Sequence, residues 1–467
     1  MLNDLTPHQP YRPLRWPEVV YDLRGALADV NVPIYIVGGA VRDALLHRPL
    51  KDLDLAVPSG GAALARLIAD RLGGAFFPLD AARDVGRALL DTESDRLIVD
   101  VARFRGDGLR ADLADRDFTI NALAVDLHAD LDMLIDPLGG ESDARDRVIR
   151  RCGHHSLADD PVRCLRAVRL SAQLGMRIER ETANDVRRHA ARLADVSPER
   201  VRDELFRLLA LPRAAAALRA AVALGLIAPV LPELDLSGDG WTRGLRAVEY
   251  LAEIAASVSP GRSDNLTASF GMGMLVMQLN RFRHRLHMHF ETAWPNGRSH
   301  QALLALATLF YAAGAQPLDI DRAAALRLSN NERDRTIAII GGTGALLTLD
   351  TSDRRVLHRF WRDAGAAGVD MCLLAAADYL ARAGSALDQD SWLGAIEKVC
   401  ALLDAFYNHY HEIVEPPVLI DGLVLMRTLG VPSGPAVGAL LAAVREAQAA
   451  GEVQTADDAL RLARALT

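Results

Sequence analysis

Two aspartates one residue apart, Asp52 and Asp54, lie in the apolar segment DLDLAV. The surrounding run IVGGAVRDALLHRPLKDLDLAV indicates a strand that ends at Gly38 and Gly39, a helix, and a second strand that carries both aspartates. Alternation along a strand places the two carboxylates on one face, where they repel each other unless a divalent cation lies between them. The glycine pair lets backbone amides approach a phosphate at the start of a helix. The pattern therefore indicates Mg²⁺ and a nucleoside triphosphate.

A third carboxylate is expected from a neighbouring strand. The segment RLIVDVARF carries Asp100 among apolar residues, where an unpaired carboxylate would be costly. If Asp100 converges with Asp52 and Asp54, the pattern predicts two-metal phosphoryl transfer, in which one ion activates an incoming hydroxyl and the other holds the triphosphate. The alternative is an edge-strand aspartate that is paired to Arg103 or Arg105.

The elements that must position these carboxylates are short. Between residues 32 and 136, β-rich runs such as IYIVG, LDLAVP, AFFPL and RALLD alternate with helical ones, including a helix from Gly61 to Leu72. This alternation predicts a small α/β or α+β domain. Beyond DPLGG at 136–140 the strand signals fade and helical periodicity follows, and an aromatic content of 5% also favours helices. The sequence predicts an α+β protein that is mostly helical after its first domain.

Charge narrows the choice of partners. The net charge of −8 argues against indiscriminate coating of nucleic acid. Only Lys51 and Lys398 are lysines, so nearly all cations are arginines, which suit bidentate phosphate contacts. Fourteen arginines crowd residues 147–207, which predicts a polyanion-facing surface there, and the alternative is a set of solvated helix faces.

No membrane span is expected, because the longest apolar stretches, around 302–315 and 336–349, fall short of the roughly 20 residues that a bilayer requires. The polar N-terminal segment has no basic region followed by an apolar one, so we expect a cytoplasmic protein. The four cysteines show neither a CxxC pair nor zinc-site spacing, and we expect them to be small buried residues.

Five segments resemble, in order, the motifs of class II tRNA nucleotidyltransferases, which add CCA to tRNA 3′ ends, and of the similar bacterial poly(A) polymerases. These segments are GGAVRDALLHRPLKDLDL, RDFTINALA, DPLGGESDARDRVIR, DDPVRCLRAVRLSAQLGMRIERET and SPERVRDEL. They cover about residues 30–210, and weaker similarity extends beyond. The resemblance implies transfer of C residues, with or without the terminal A, from CTP and ATP to a tRNA 3′ hydroxyl, with Mg²⁺ as cofactor and pyrophosphate as leaving group.

The resemblance also implies an architecture of head, neck, body and tail. It implies a polymerase-β-like catalytic head, built from a mixed sheet plus helices, over 16–137. All-helical regions follow: a neck for base recognition and RNA binding over 138–210, a body with a degenerate HD-like region over 211–410, and a tail over 411–467. In the body, Tyr311 and Ala312 occupy the His-Asp metal positions of HD phosphohydrolases, so this region is expected to be inactive as a hydrolase.

Residue roles follow from the same resemblance. Gly38, Gly39 and Arg42 would bind the triphosphate, and Asp52 and Asp54 would hold the metal ions. Contacts to sugar and phosphate would come from Arg116, Asp117 and Asn121; Asn121 has the alternative of a local turn hydrogen bond. The incoming base would be selected by Asp160 and Arg163, with Arg166 and Arg169 further along the same helix.

An Asp/Arg pair suits the selection of cytosine and adenine. A carboxylate accepts from their exocyclic amino group while a guanidinium donates to a ring acceptor, and uracil and guanine present the reverse pattern. The alternative for Asp160 is a helix N-cap followed by Pro161 at the first helical position.

Several positions depart from the family pattern. His47, Asp115 and Asp159 replace a glycine, an arginine and a glutamate. The interval between VARFR and DLADRDFT is only Gly106 to Ala111, whereas CCA-adding members usually carry a longer flexible loop. In the family a shortened loop is associated with enzymes that add CC and stop, although loop trimming is also neutral in other cases. Two rival functions remain: a poly(A) polymerase, and a catalytically silent RNA-binding module.

Overall fold

A computed structural model describes residues 5–91, 96–261, 269–314 and 320–467. The chain folds into two compact units. The first comprises residues 1–196 and 223–229, and the second comprises 197–222 and 230–467. The division into head, neck, body and tail stays a prediction.

The first unit is built around a mixed six-stranded sheet whose strand order is β3-β4-β5-β2-β1-β6. The strands are β1 Tyr35–Val37, β2 Asp52–Val57, β3 Ala75–Asp80, β4 Val85–Asp91, β5 Arg96–Arg103 and β6 Ala124–Asp126. The pair β2–β5 is parallel, and the other neighbouring strands are antiparallel. The predicted α+β class is confirmed, and the predicted strands lie where their alternating apolar runs placed them.

Helix α3, Gly61–Leu72, covers one face of this sheet. Its buried residues Leu64, Ala65, Ile68 and Ala69 recur at the helical period, which is why this segment packs as a helix. A Cβ placed on Gly86 of β4 would lie 2.8 Å from the Cβ of Ala65, so Gly86 faces α3. Because strand residues alternate, the neighbours of Gly86 face the opposite side of the sheet, where the site lies.

The first unit contains further helices. They are α1 Glu18–Ala26, α2 Gly39–Leu45, α4 Leu109–Ala114, α5 Gly140–Arg145, α6 Ser156–Asp159, α7 Val162–Leu174 and α8 Arg180–His189. Two short strands, β7 Val148–Ile149 and β8 Arg177–Ile178, pair in parallel beyond residue 140. The all-helical prediction was wrong at these strands, because two-residue strands are too short to show a period of two.

The second unit is helical throughout its described residues. Its helices are α9 Pro198–Leu209, α10 Ala214–Ala223, α11 Asp239–Val258, α12 Phe270–Leu279, α13 Arg283–Glu291, α14 His300–Ala312, α15 Ile320–Ala325, α16 Asn330–Leu346, α17 Arg354–Ala364, α18 Gly368–Ala383, α19 Gln389–Asn408, α20 Gly422–Leu429, α21 Pro435–Ala449 and α22 Ala456–Ala465. A π-helical turn covers Tyr410–Val414. Residues 420–463 form a hydrophobic cluster that includes Leu425, Val444 and Ala459.

One described stretch, Arg354–Ala383, is long and apolar enough by composition to cross a membrane. Of its most apolar window, 83% is buried inside the protein, and the helix is interrupted at Gly365–Ala367, as in a core helix pair. The cysteines are free thiols, and Cys164, Cys372 and Cys400 are buried as expected while Cys152 is half-buried.

Glu332 at the start of α16 is fully buried and should be important for the stability of the second unit. It accepts from Arg298 Nε and Nη2 at 2.7 and 2.6 Å, and it closes a capping box with Ser329. We expect Glu332→Gln to lower the free energy of unfolding by about 3 kcal/mol, because a nearly buried guanidinium loses its bidentate partner and keeps only Asp203, at 3.7 Å. Thermal and urea unfolding measure this loss, and Asp334→Asn, an exposed carboxylate of the same helix, is the control.

The contribution of Glu332 to stability depends on pH, and the direction of its pKa shift determines how. Burial opposes ionisation, but the bonds from Arg298 and Ser329 outweigh it and lower the pKa of Glu332 to about 2. The stabilisation is therefore complete above the unfolded-state pKa of roughly 4.5 and is lost as the pH falls towards 2. The Glu332→Gln protein should show a weaker pH dependence of unfolding in that window.

Candidate active site

Strand register brings the three aspartates to one face of the sheet. Asp52 and Asp54 alternate with buried Leu53 along β2, and Asp54 is the register partner of Asp100 on β5. Neighbouring strands lie about 4.8 Å apart. Because β5 lies between β4 and β2, Asp100 is on an interior strand, and the edge-strand alternative is wrong.

Asp100 is held by a cation on the adjacent strand. Arg87 of β4 lies directly opposite it and donates from Nε and Nη2 to its two carboxylate oxygens, at 2.7 and 2.8 Å. Asp100 therefore pairs with Arg87 on the neighbouring strand β4, and not with Arg103 or Arg105 as the alternative supposed. This arrangement neutralises Asp100 and fixes its orientation beside Asp54.

The environment of Asp54 suits a cation. Burial raises its pKa, the charge of Arg116 opposes that rise, and the carboxylates of Asp100 and Asp52 add to it. A bound divalent cation would relieve this repulsion, and carboxylate oxygens are the donors that Mg²⁺ prefers. In the part of the chain that the structure describes, no group of three or more His, Cys, Asp or Glu side chains is arranged to hold a metal ion. Because Arg87 binds Asp100, Asp52 and Asp54 are the candidate ligands.

Gly38 permits the close approach of Arg116 to Asp54. Gly38 has φ +79°, and a Cβ built on it would lie 2.6 Å from Arg116 Nη1 and 3.3 Å from Asp54 Oδ2. Arg116 is held from behind by Asp112 of α4, which accepts from Nε and Nη2 at 3.2 and 3.0 Å. A guanidinium next to a site for a triphosphate can stabilise its negative charge.

Arg42 is the second arginine near the predicted phosphate site. It lies on α2, which begins at Gly39. Its guanidinium donates from Nη1 to Asn121 Oδ1 at 2.6 Å and from Nη2 to Asp43 Oδ2 at 2.8 Å. It lies against Gly39, where a Cβ would be 3.4 Å from Nη2. Helix α2 begins where the sequence predicted, and it brings Arg42 to the β1 side of the carboxylates.

Asp117 and Asn121 form a buried link between α2 and α7. Asn121 lies in a short 3₁₀ helix and donates to Asp117 Oδ1 at 2.9 Å, so its local hydrogen bond exists together with the bond from Arg42. Arg166 of α7 contacts the other oxygen of Asp117 at 3.2 Å. Although burial disfavours the charge, Arg166, Asn121 and the amide of Phe118 lower the pKa of Asp117. A buried ionised carboxylate with these partners is suited to positioning Arg42.

The proposed base selectors lie together at the start of α7. Asp160 Oδ2 is 3.6 Å from Arg163 Nε. The helix is assigned from Val162, but Pro161 already has helical dihedral angles (φ −61°, ψ −21°) and Asp160 does not (φ −141°, ψ 89°), so the N-cap alternative for Asp160 stays open. Arg163 is buried and donates to the carbonyls of Asp115 and Ser156 at 2.8 and 3.2 Å, which ties α7 to the turn before Asp117. Further along, Arg169 donates to Gln173 at 3.0 Å.

The arginine-rich region is used in part for internal ion pairs. Arg150 pairs with Asp143 at 2.9 Å, and Arg151, with only 8% of its side chain exposed, pairs with Asp185 at 2.9 Å. These arginines are neither wholly solvated nor wholly available to a polyanion. The prediction of a polyanion-facing surface therefore concerns the more exposed members, such as Arg187 and Arg188 on α8.

The HD-like positions Tyr311 and Ala312 are the last two residues of α14. Tyr311 hydrogen-bonds to Arg382, and Arg382 also donates to Asp378 at 2.7 Å. His289 of α13 is hydrogen-bonded to buried Asp370 at 2.6 Å. The absence of hydrolase activity stays a prediction.

Sequence reasoning missed two supporting residues, Arg87 and Asp112. Both belong to short elements of apparently ordinary composition, and neither falls in a family motif. The signal for Arg87 was its position in a β-hairpin with Asp100, since opposite charges on facing strands stabilise each other. The interval Gly106 to Ala111 also hid a structural element, because α4 begins at Leu109 inside the segment interpreted as a loop.

Two protein-family models match parts of this chain. The family model for the poly A polymerase head domain matches residues 34–150, a range that includes Asp52, Asp54 and Asp100. A second model, the probable RNA and SrmB-binding site of polymerase A, matches residues 175–237.

Similarity to individual proteins extends over nearly the whole chain. The CC-adding tRNA nucleotidyltransferase of Geobacter sulfurreducens is 35% identical over 91% of this chain and 90% of its own length. The A-adding tRNA nucleotidyltransferase of Deinococcus radiodurans is 32% identical over 91% of this chain and 93% of its own. The solved Thermotoga maritima CCA-adding enzyme complexed with tRNA has the same fold, with a TM-score of 0.62 and 21% identity over 98% of this chain and 100% of its own.

Proposed function

The chain belongs to the tRNA nucleotidyltransferase family, and from that premise we propose that it is the CC-adding type: it transfers two CMP residues from CTP to the 3′ hydroxyl of a tRNA and then stops. Each transfer forms a bond from the 3′ oxygen to the α-phosphorus of CTP, and it breaks the bond to the leaving pyrophosphate. The proton of the acceptor hydroxyl is released to water.

Asp52, Asp54 and Asp100 mark the proposed site of this reaction. Asp52 and Asp54 would hold Mg²⁺, which when bound lowers the pKa of the attacking hydroxyl and neutralises the triphosphate. Arg116, held by Asp112, lies next to Asp54 and would bind the phosphates, and Arg42 would do so from α2. Asp100, oriented by Arg87, lies on the other side of Asp54.

The observation that carries the CC-adding assignment is the short link between β5 and Arg116. Only residues 104–108 separate β5 from α4, and α4 is tied to its surroundings because Asp112 accepts from the amide of Arg105 at 3.1 Å and from the side chain of Arg116. A long flexible loop has no place in this segment. In the family a shortened interval is associated with addition of CC alone, and the similarity to the Geobacter sulfurreducens protein supports this choice.

End sequencing of reaction products tests the proposal. A tRNA transcript without its CCA end is incubated with CTP alone, with ATP alone, and with both, in the presence of Mg²⁺ or of EDTA, since the proposed chemistry depends on the metal ion. We expect CC ends whenever CTP and Mg²⁺ are present, and no added A. CCA ends with both nucleotides would show a full CCA enzyme, and A tracts with ATP alone would show a poly(A) polymerase. No incorporation with this tRNA would refute the CC-adding assignment.

Asp160→Ala should relax the choice of base. If Asp160 and Arg163 select cytosine, the ratio of kcat/KM for CTP over UTP should fall about tenfold, because one lost bidentate-type contact costs about 1–3 kcal/mol of discrimination. The melting temperature should also fall slightly, because Asp160 Oδ2 lies 3.6 Å from Nε of buried Arg163. Gln173→Ala, exposed on the same helix, is the control. A variant that melts earlier but keeps its preference for CTP would contradict the selector role.

Arg163→Ala should behave differently from Asp160→Ala, because Arg163 bonds to backbone carbonyls that join α7 to the segment before Asp117. We expect a lower melting temperature in addition to any change in base choice.

A cytoplasmic location is part of the proposal, since the tRNA substrate is found there.

A further inference from the structure

The sheet face that carries the aspartates continues towards the edge strand. Arg87 is the register partner of Asp100, and Phe77 on β3 is the register partner of Arg87. Register partners on neighbouring strands share a face, so Asp54, Asp100, Arg87 and Phe77 form one row across four strands. At about 4.8 Å per strand, this row is about 14 Å long.

Phe77 is an exposed aromatic residue at the end of this row. Its relative exposure is 47%, and it lies on the edge strand, where an exposed apolar side chain invites unwanted pairing. Its neighbour Phe76 has the opposite orientation: it lies on the α3 side, with the Arg66 guanidinium 4.3 Å above its ring. The sequence therefore supplies an aromatic residue for each face of β3, and only Phe76 is used to pack α3.

The two sides of Asp54 have different partners. Arg116 and Arg42 lie on the β1 side, which makes that side the place for the triphosphate. In phosphoryl transfer the attacking and leaving oxygens are roughly in line, so the acceptor hydroxyl must approach from the opposite side. On that side the row presents Asp100, then Arg87, then Phe77.

We propose, on the basis of the proposed function, that Arg87 and Phe77 form the subsite for the single-stranded 3′ end of the acceptor RNA. The Phe77 ring stacks on the terminal base, and Arg87 contacts the terminal phosphate while it orients Asp100. Aromatic stacking accepts any base, which suits an enzyme that must accept the 3′ end before and after a C is added. The Arg87 guanidinium has five donors, of which those on Nε and Nη2 face Asp100. The Arg87 side chain is 35% exposed, and a phosphate is a natural partner for those of its donors that do not face Asp100, which favours RNA as the occupant.

Phe77→Ala tests the stacking role with the full chain. In steady-state addition of C to a tRNA without its CCA end, the KM for tRNA should rise about tenfold, while the KM for CTP changes less than twofold. Phe77→Trp should retain a KM for tRNA close to that of the wild type, because it keeps a stacking surface. Leu79→Ala is the matched control: Leu79 is 48% exposed on the same strand but lies within the register irregularity at Pro78–Asp80, outside the row.

A binding measurement without nucleotide separates this subsite from the proposed function. Fluorescence anisotropy with labelled tRNA should show about tenfold weaker binding to Phe77→Ala. With a tRNA shortened by two further acceptor nucleotides, wild type and Phe77→Ala should bind equally. If the wild type incorporates no CTP, the proposed function fails, and this binding difference still tests the subsite.

Three results would overturn the inference. The first is an unchanged affinity and KM for tRNA in Phe77→Ala that has a wild-type melting temperature. The second is an effect confined to the KM for CTP. The third is self-association of the wild type in analytical ultracentrifugation that Phe77→Ala abolishes without a change in tRNA affinity. That result would show that the β3 edge binds a second copy of the chain.

Discussion

Replacement of either Asp52 or Asp54 by Asn should reduce CTP incorporation by at least about a thousandfold, since removal of a ligand for the ions withdraws the charge stabilisation on which phosphoryl transfer depends. The two residues lie on one face of β2, and burial, together with the charges of Asp100 and Asp52, raises the pKa of Asp54 although Arg116 opposes that rise, so a divalent cation at this face would relieve the repulsion between the carboxylates. Single-turnover incorporation of labelled CMP measures the loss.

Binding of tRNA should survive these substitutions, because we expect arginines and the helical regions to supply the RNA contacts. Anisotropy with labelled tRNA should give affinities within about twofold of the wild type. Asp91→Asn, an exposed carboxylate on β4 of the same sheet, should leave incorporation unchanged. Incorporation within tenfold of wild type in either Asp52→Asn or Asp54→Asn would refute the metal assignment.

Much of the catalytic fold could be predicted because its elements carry strong local signals. The apolar alternation of β2, β4 and β5 and the helical period of α3 are each visible without tertiary information, and the structure contains all four. The strands β6, β7 and β8 were missed, because they have two or three residues and depend on tertiary pairing. Helix α4 was missed for a similar reason: its six residues are held by Asp112, whose partners Arg105 and Arg116 lie on either side of the helix.

The site shows the same division between local and tertiary information. The side-by-side placement of Asp52 and Asp54 follows from strand alternation alone, and the neighbour relation of Asp54 and Asp100 required the strand order. The functional residues Arg87 and Phe77 could not be found from motifs, because their relevance comes only from register across three strands. Buried Arg163 illustrates the converse: its motif suggests base contact, and only the structure reveals its bonds to backbone carbonyls.

Gly38→Ala should lower CTP incorporation by about a hundredfold while the protein remains folded, because a displacement of about 1 Å in a catalytic group costs about that much. The new Cβ would lie 2.6 Å from Arg116 Nη1, so the guanidinium must move away from Asp54 or break its bonds to Asp112. The KM for CTP should rise and kcat should fall, since Arg116 would serve both binding and charge stabilisation. Steady-state kinetics with varied CTP measures both.

Backbone strain contributes to this effect, and a second glycine separates the two causes. Gly38 has φ +79° and ψ −138°, and Gly365 at the end of α17 has φ +52° and ψ −133° with nothing within 4 Å of its would-be Cβ. Gly365→Ala therefore introduces comparable backbone strain, about 1–3 kcal/mol, without displacing a neighbour. We expect it to lower the melting temperature and leave kcat/KM for CTP nearly unchanged. If both variants lost activity equally, strain alone would account for the loss, and the close approach of Arg116 to Asp54 over Gly38 would have no part in catalysis.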